Sequence, residues 1–155
     1  MFIGSNKHFI GFLLLVTVIV YVNILDNSFV SDDKATILLN PEFGTWQNVL
    51  SNPVIVGRNL SLYLIHAVSG KTPFLYHAAD IFYHASTVIL FYAVLSYVFK
   101  LKSPIYSTLL FAVHPILTEG VTWIGGGGYS HSASLFLGSF LALVYYLRNP
   151  RVKYY

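Results

Sequence analysis

Asp32 and Asp33 are adjacent carboxylates in a chain with only six acidic residues. Two such groups in a poorly hydrated site repel one another, so one pKa rises. That group can take a proton from an acceptor hydroxyl, or the pair can hold a divalent cation. The structural alternative is a helix cap, with either residue serving the turn that follows. Both readings stay open. His77, Asp80 and His84 are spaced i, i+3 and i+7, which puts them on one helix face. Two imidazoles and a carboxylate can ligate one ion, but no HExxH-like signature accompanies them, so a hydrogen-bonded stripe is expected instead of a metal site. His114-Pro115 and Glu119 follow in a third apolar stretch. A proline there removes a backbone donor and kinks the helix, and His114 and Thr118 can partner the groups it frees. Gly125–Gly128 can bring backbone amides close to a phosphate but lacks the Lys and Ser/Thr of a P-loop, so a flexible turn is expected. Ser130, His131, Ser132 and Ser134 have no nearby acid and do not suggest a hydrolase.

These residues are carried by a chain that water alone cannot keep dispersed. Of its 155 residues, 55% are hydrophobic, 17% aromatic and only 10% charged, and the mean hydropathy is +0.64. A soluble domain is about 45–50% apolar and about 25% charged. Soluble globular and disordered chains are thereby excluded. The absence of cysteine excludes thiol chemistry and disulfides. Nine basic residues are scattered rather than clustered, so no nucleic-acid partner is expected.

The expected fold is an all-α integral membrane protein, a single module over 1–155. About four transmembrane helices are expected near 9–25, 74–99, 104–119 and 129–147, since roughly 20 apolar residues cross a bilayer core. The first follows Lys7 and lacks an A-x-A-like cleavage site, so it reads as a retained signal-anchor. Lys7, Lys100, Lys102, Arg148, Arg151 and Lys153 place both termini in the cytoplasm, with Lys34, Arg58 and Lys71 outside. Asp26, Asp32, Asp33, Glu42 and Glu119 then fall on the outer side, and Asp80 just below it, so any chemistry belongs to the non-cytoplasmic face.

The outer loop, 26–73, is too long to be structureless in a compact module. Thr45–Leu50, with Trp46 as an anchor, reads as one short interfacial helix. Arg58–Val68, with Leu60, Leu64 and Val68 at helical spacing, reads as a second, ended by Gly70. Asn59-Leu60-Ser61 is formally a glycosylation triplet, although it abuts the membrane.

The order of motifs is more specific than any one of them. The loop opens with Phe29-Val30-Ser31-Asp32-Asp33, then comes Asn40-Pro41, a tryptophan, Arg58-Asn59-Leu60, His66-Ala67, Tyr76-His77 and His84-Ala85. The series ends in His114-Pro115-x-x-Thr118-Glu119-x-Val121-x-Trp123. This series resembles the N-terminal part of the multi-pass GT-C glycosyltransferases, in particular the protein O-mannosyltransferase-like members that carry a tetratricopeptide domain after the membrane part. The resemblance implies a transferase using a polyprenyl-phosphate-linked sugar on the outer or lumenal face, of the bacterial inner membrane or the endoplasmic reticulum. It implies that Asp32 or Asp33 is the catalytic base or orients the acceptor hydroxyl, and that Arg58 pairs with the donor phosphate or braces the acids. His77, His114 and Glu119 would line the cleft. The implied partners are a lipid-linked sugar donor, a protein or glycan acceptor and the bilayer, with a further membrane subunit or C-terminal region to complete the enclosure. No particular cofactor is implied, and a divalent cation is compatible. A non-catalytic multi-pass subunit, or a metal- or ion-handling four-helix protein, is the reading from a different class.

Overall fold

The computed structural model describes residues 2–149, with side chains from residue 7 onward; Arg151 and Lys153, used to orient the chain, lie outside the described residues. Apolar residues that recur with no interior proline give three long helices. Helix α1 (Phe2–Tyr21) runs on through a 3-10 turn, Val22–Asp26. Two short helices follow in the outer loop, α2 (Trp46–Leu50) and α3 (Val56–Ser69). Next come α4 (Phe74–Ala93), prolonged by a wide turn over Val94–Val98, then α5 (Pro104–Val113), α6 (Glu119–Thr122) and α7 (Gly128–Arg148). There is no strand among the described residues.

Three stretches are long and apolar enough to cross a bilayer: Lys7–Asp26, Phe74–Val98 and Gly125–Arg148. Large apolar side chains on them point outward, among them Leu15, Ile19, Phe82, Phe136 and Leu143. An outward apolar surface of this extent is a lipid-facing one. The chain is an all-helical membrane protein.

The third expected segment, 104–119, is a broken helix. Helix α5 has ten residues, about 15 Å of rise, which is half a bilayer core. Pro115 has no N–H for the turn, and the Ile116 N–H goes to His114 Nδ1 at 3.2 Å instead of to Ala112. The carbonyl of Ala112 is therefore free, and His84 Nε2 donates to it from α4 at 3.1 Å. On one side of the break Ile105, Leu109 and Ala112 pack with Leu13, Val88 and Tyr92. Beyond it Val121 packs with Tyr21 and Ile24 after the middle of α1 and with Ile81 nearer the start of α4.

The loop helices form where expected. Thr45 caps α2 by accepting from the Asn48 N–H, and α3 stops at Gly70, whose φ is +58°. Leu60, Leu64 and Val68 all face away from the bundle, with Val68 79% exposed. The other side of α3 carries Leu62 and Ile65 against Phe29, Ile37, Phe43, Tyr76 and Ile124. That cluster seats the loop on the N-terminal end of α4. Lys71 Nζ donates to the Leu38 carbonyl at 2.7 Å and closes the loop across its base.

Candidate functional site

The acid pair divides. Ser31 takes a left-handed backbone, φ +50°, directly ahead of it, a conformation uncommon for a residue with a Cβ. Past this turn Asp33 points inward and is 1% exposed, while Asp32 stays exposed. Asp33 Oδ1 accepts from the Gly125 N–H at 2.9 Å, and Oδ2 from the Val30 N–H at 3.4 Å. Asp32 Oδ1 accepts from the neighbouring Ser31 hydroxyl at 2.8 Å, and the Asp32 carbonyl accepts from Thr36. Neither acid caps the Lys34–Leu38 turn with its side chain. One carboxylate faces in and the other out, so they do not chelate one ion as a pair.

Burial raises the Asp33 pKa above its ordinary value. The Val30 and Gly125 amides and the charge of His77 oppose the shift without cancelling it. Trp123 also opposes it, although its buried Nε1 lies outside hydrogen-bond geometry. His77 is 1% exposed and its ring nitrogens likewise fall short of hydrogen-bond geometry, with the Asn27 backbone alongside.

Arg58 emerges from the first turn of α3 and is almost wholly buried. Its Nη2 stands 3.1 Å from Asp80 Oδ1 on α4 and donates to the Ile124 carbonyl at 2.8 Å. Its Nη1 is buried with no hydrogen-bond partner among the described residues. A Cβ at Gly127 would overlap Asp80 Oδ1 and Cγ and come within 2.7 Å of Arg58. At Gly126 it would meet the Glu119 carbonyl at 2.6 Å, and at Gly125 the Trp123 ring at 2.8 Å. The expected flexible turn is therefore a close-packed 3-10 turn, Gly125–Gly127. Its glycines are needed for space, since none of them has a positive φ.

Arg58 also lines a cavity of about 360 Å³ at the start of α7, with Gly57, Gly125, Gly126, Gly128, His131 and Ser132 among its walls. No acid lines it, and the 21-residue α7 directs its N-terminus there, where a helix dipole favours negative charge. His131 packs edge-on against Tyr83, whose hydroxyl shares a 2.7 Å hydrogen bond with Ser61. An anion is the ligand these walls suit.

Asp33, Arg58 and His77 are thus brought to one place, with Asp80 behind them. His114 and Glu119 are not. His114 is exposed and spends Nδ1 on the Ile116 amide. Glu119 is exposed on the rim of a separate cavity of about 300 Å³, shared with His84, Thr87 and Phe111. The His77, Asp80 and His84 stripe is buried on one face as expected, but its members go to different partners. No group of three or more His, Asp or Glu converges on a metal position among the described residues. The sequence marked Asp80 as a metal ligand or a member of a hydrogen-bonded stripe and Gly125–Gly128 as a turn, but not the tie of Asp80, Gly127 and the Ile124–Gly125 peptide to Arg58 and Asp33. The available signal was one carboxylate inside an apolar crossing, which requires a cationic partner.

No family model matches the chain, and no solved structure matches it. Among curated proteins it is 36% identical over 83 residues to the protein O-mannosyl-transferase TMTC3 of Homo sapiens, a stretch that is 54% of this chain and 9% of the relative. It is 42% identical over 77 residues to TMTC1 of Homo sapiens (48% of this chain, 9% of the relative), and 39% over 85 residues to TMTC1 of Mus musculus (54% and 9%). The chain spans about 9% of the length of these relatives. Over about half of its own length, then, this helical membrane chain is similar to the protein O-mannosyl-transferases TMTC3 and TMTC1.

Proposed function

We propose that the chain is a glycosyltransferase or its N-terminal module. It takes a sugar from a polyprenyl-phosphate-linked donor and passes it to a hydroxyl of a protein or glycan on the non-cytoplasmic face. The observation that carries this reading is the acid-free cavity at the start of α7, where buried Arg58 has an unpartnered Nη1. Its guanidinium suits a phosphate. The names of the relatives point to mannose as the sugar and a protein as the acceptor. The donor's tail stays in the bilayer, and α2 and α3 lie on the outer surface with Trp46, Leu64 and Val68 toward the acyl boundary.

Asp32 is the base. Its carboxylate is exposed and bonded only to a neighbouring hydroxyl, whereas both oxygens of Asp33 are engaged by backbone amides. Asp32 takes the acceptor's proton as its oxygen attacks the anomeric carbon. The bond from that carbon to the phosphate oxygen breaks, and the lipid phosphate leaves with the electron pair, its charge met by Arg58.

The test is transfer of mannose from a polyprenyl-phosphate-mannose donor, measured on the chain in the context of its complete protein. Asp32→Asn is expected to lower turnover by about 10²–10⁴-fold, the usual worth of a general base, with helical content unchanged. Arg58→Gln is expected to raise the donor KM. Normal transfer by both Asp32→Asn and Asp33→Asn removes the base assignment.

A further inference from the structure

The carbonyl held by Arg58 and the N–H held by Asp33 belong to the same peptide unit, Ile124–Gly125. A continuous line of contacts therefore runs from Asp80, through Arg58, across that peptide, to Asp33. We propose that Asp80 is a positioning residue that acts on the loop acids through this line: it anchors Arg58 on the Ile124 carbonyl, the peptide plane is locked, and Gly125 holds Asp33 inward so that Asp32 faces out.

Three features support the link. A cation on the carbonyl side of an amide polarises its N–H and strengthens the bond that group donates. Glycine at 127 leaves the Asp80 and Arg58 pair the space in which it stands, which any Cβ there would invade. Trp123 packs under Gly125 and Gly126, so the peptide has little freedom to rotate on its own. The inference rests on the transferase reading only in calling Asp32 the base; the mechanical link from Asp80 to Asp33 stands apart from it.

Several charged groups surround Asp33, and they define the competing explanation. His77 and Asp80 face it from α4, Arg58 from α3 through the peptide, and Asp32 and Lys34 flank it in its own segment. Asp80 and Asp33 repel one another directly. If Asp80 acted only as a nearby negative charge, neutralising it would make Asp33 easier to ionise. If it acts by holding the peptide, losing it weakens the Gly125 bond and makes Asp33 harder to ionise. The two explanations predict opposite signs.

Trp46→Phe leaves Trp123 as the one tryptophan, beside Asp33. The purified full chain in lipid nanodiscs is titrated, and the part of the Trp123 emission change that disappears in Asp33→Asn reports Asp33. Asp80→Leu is expected to move that midpoint up by about one pH unit, the worth of one weakened charge-assisted hydrogen bond. Asp80→Asn keeps an acceptor for Arg58 and is expected to leave the midpoint in place or move it down. A downward shift in both variants overturns the proposal. Should Asp80→Leu fail to fold by circular dichroism, Arg58→Lys decides. It keeps the charge, but its nitrogen sits one bond nearer the backbone and is drawn back from the point where Nη2 meets both Asp80 and the Ile124 carbonyl, so an upward shift supports the link and an unchanged midpoint overturns it. The readout needs no sugar transfer. No mannose transfer by the complete protein with the shifts as expected removes the transferase reading alone, and normal turnover in Asp32→Asn removes only the base assignment.

Discussion

At the scale of single residues, the two loop acids have neighbouring positions and different physics. Asp33 is desolvated and amide-bonded, and its raised pKa means that the folded state holds its proton to higher pH than the unfolded chain does. Between the ordinary aspartate value and the raised one, folding is therefore coupled to proton uptake, and this contribution to stability falls as pH rises through that window. Thermal unfolding of wild type and Asp33→Asn across mildly acidic pH checks this. The difference between them is expected to carry the slope, and a pH-independent difference would sink the assignment. Arg58 and Asp80 behave as a unit, because removing one leaves the other charged in a dry site. Such losses run to about 3–5 kcal/mol.

Elements set these residues in place through local rules. The short α5 and the turn after it exist because of Pro115, and the carbonyl it strands at Ala112 is taken up by His84. His84→Leu leaves that carbonyl buried and unpaired, at a cost of about 1–3 kcal/mol, read as a lower Tm with unchanged transfer. The start of α7 tolerates only glycine at 127, so Gly127→Ala is expected to destabilise by about 1–3 kcal/mol, the range for forced overpacking. A Tm equal to wild type would mean that the Arg58 and Asp80 pair can move aside.

For the whole molecule the testable quantity is orientation. The chain has no cysteine, so single introduced thiols report cleanly. Lys34→Cys is expected to react with a membrane-impermeant maleimide from the non-cytoplasmic side, and Lys102→Cys only after permeabilisation. Labelling of both from one side would contradict α4, which lies between the two positions, as a crossing. The outward apolar surfaces of α1 and α7 and the outward stripe of α3 then face lipid in the same orientation.

Much of this architecture was legible in the residues alone. Apolar runs between lysines marked α1, α4 and α7 to within a few positions, since a bilayer demands internally bonded backbone over a fixed length. Gly70 and Thr45 marked loop helix ends by their own backbone and side-chain chemistry. The motif series also pointed to the similarity that the curated relatives show over half the chain. Tertiary structure alone decided the rest. The adjacency of Asp32 and Asp33 suggests a pair, and only the folded chain, which brings the Gly125 amide to Asp33, turns one of them inward. The glycine run suggests flexibility, and only the ion pair across from Gly127 shows that space is what it provides. Arg58 and Asp80 lie 22 residues apart, and Ile124 is 66 residues from Arg58. Contacts at that separation come from how α3, α4 and α7 pack, and no local pattern encodes which carbonyl or carboxylate a buried arginine will meet.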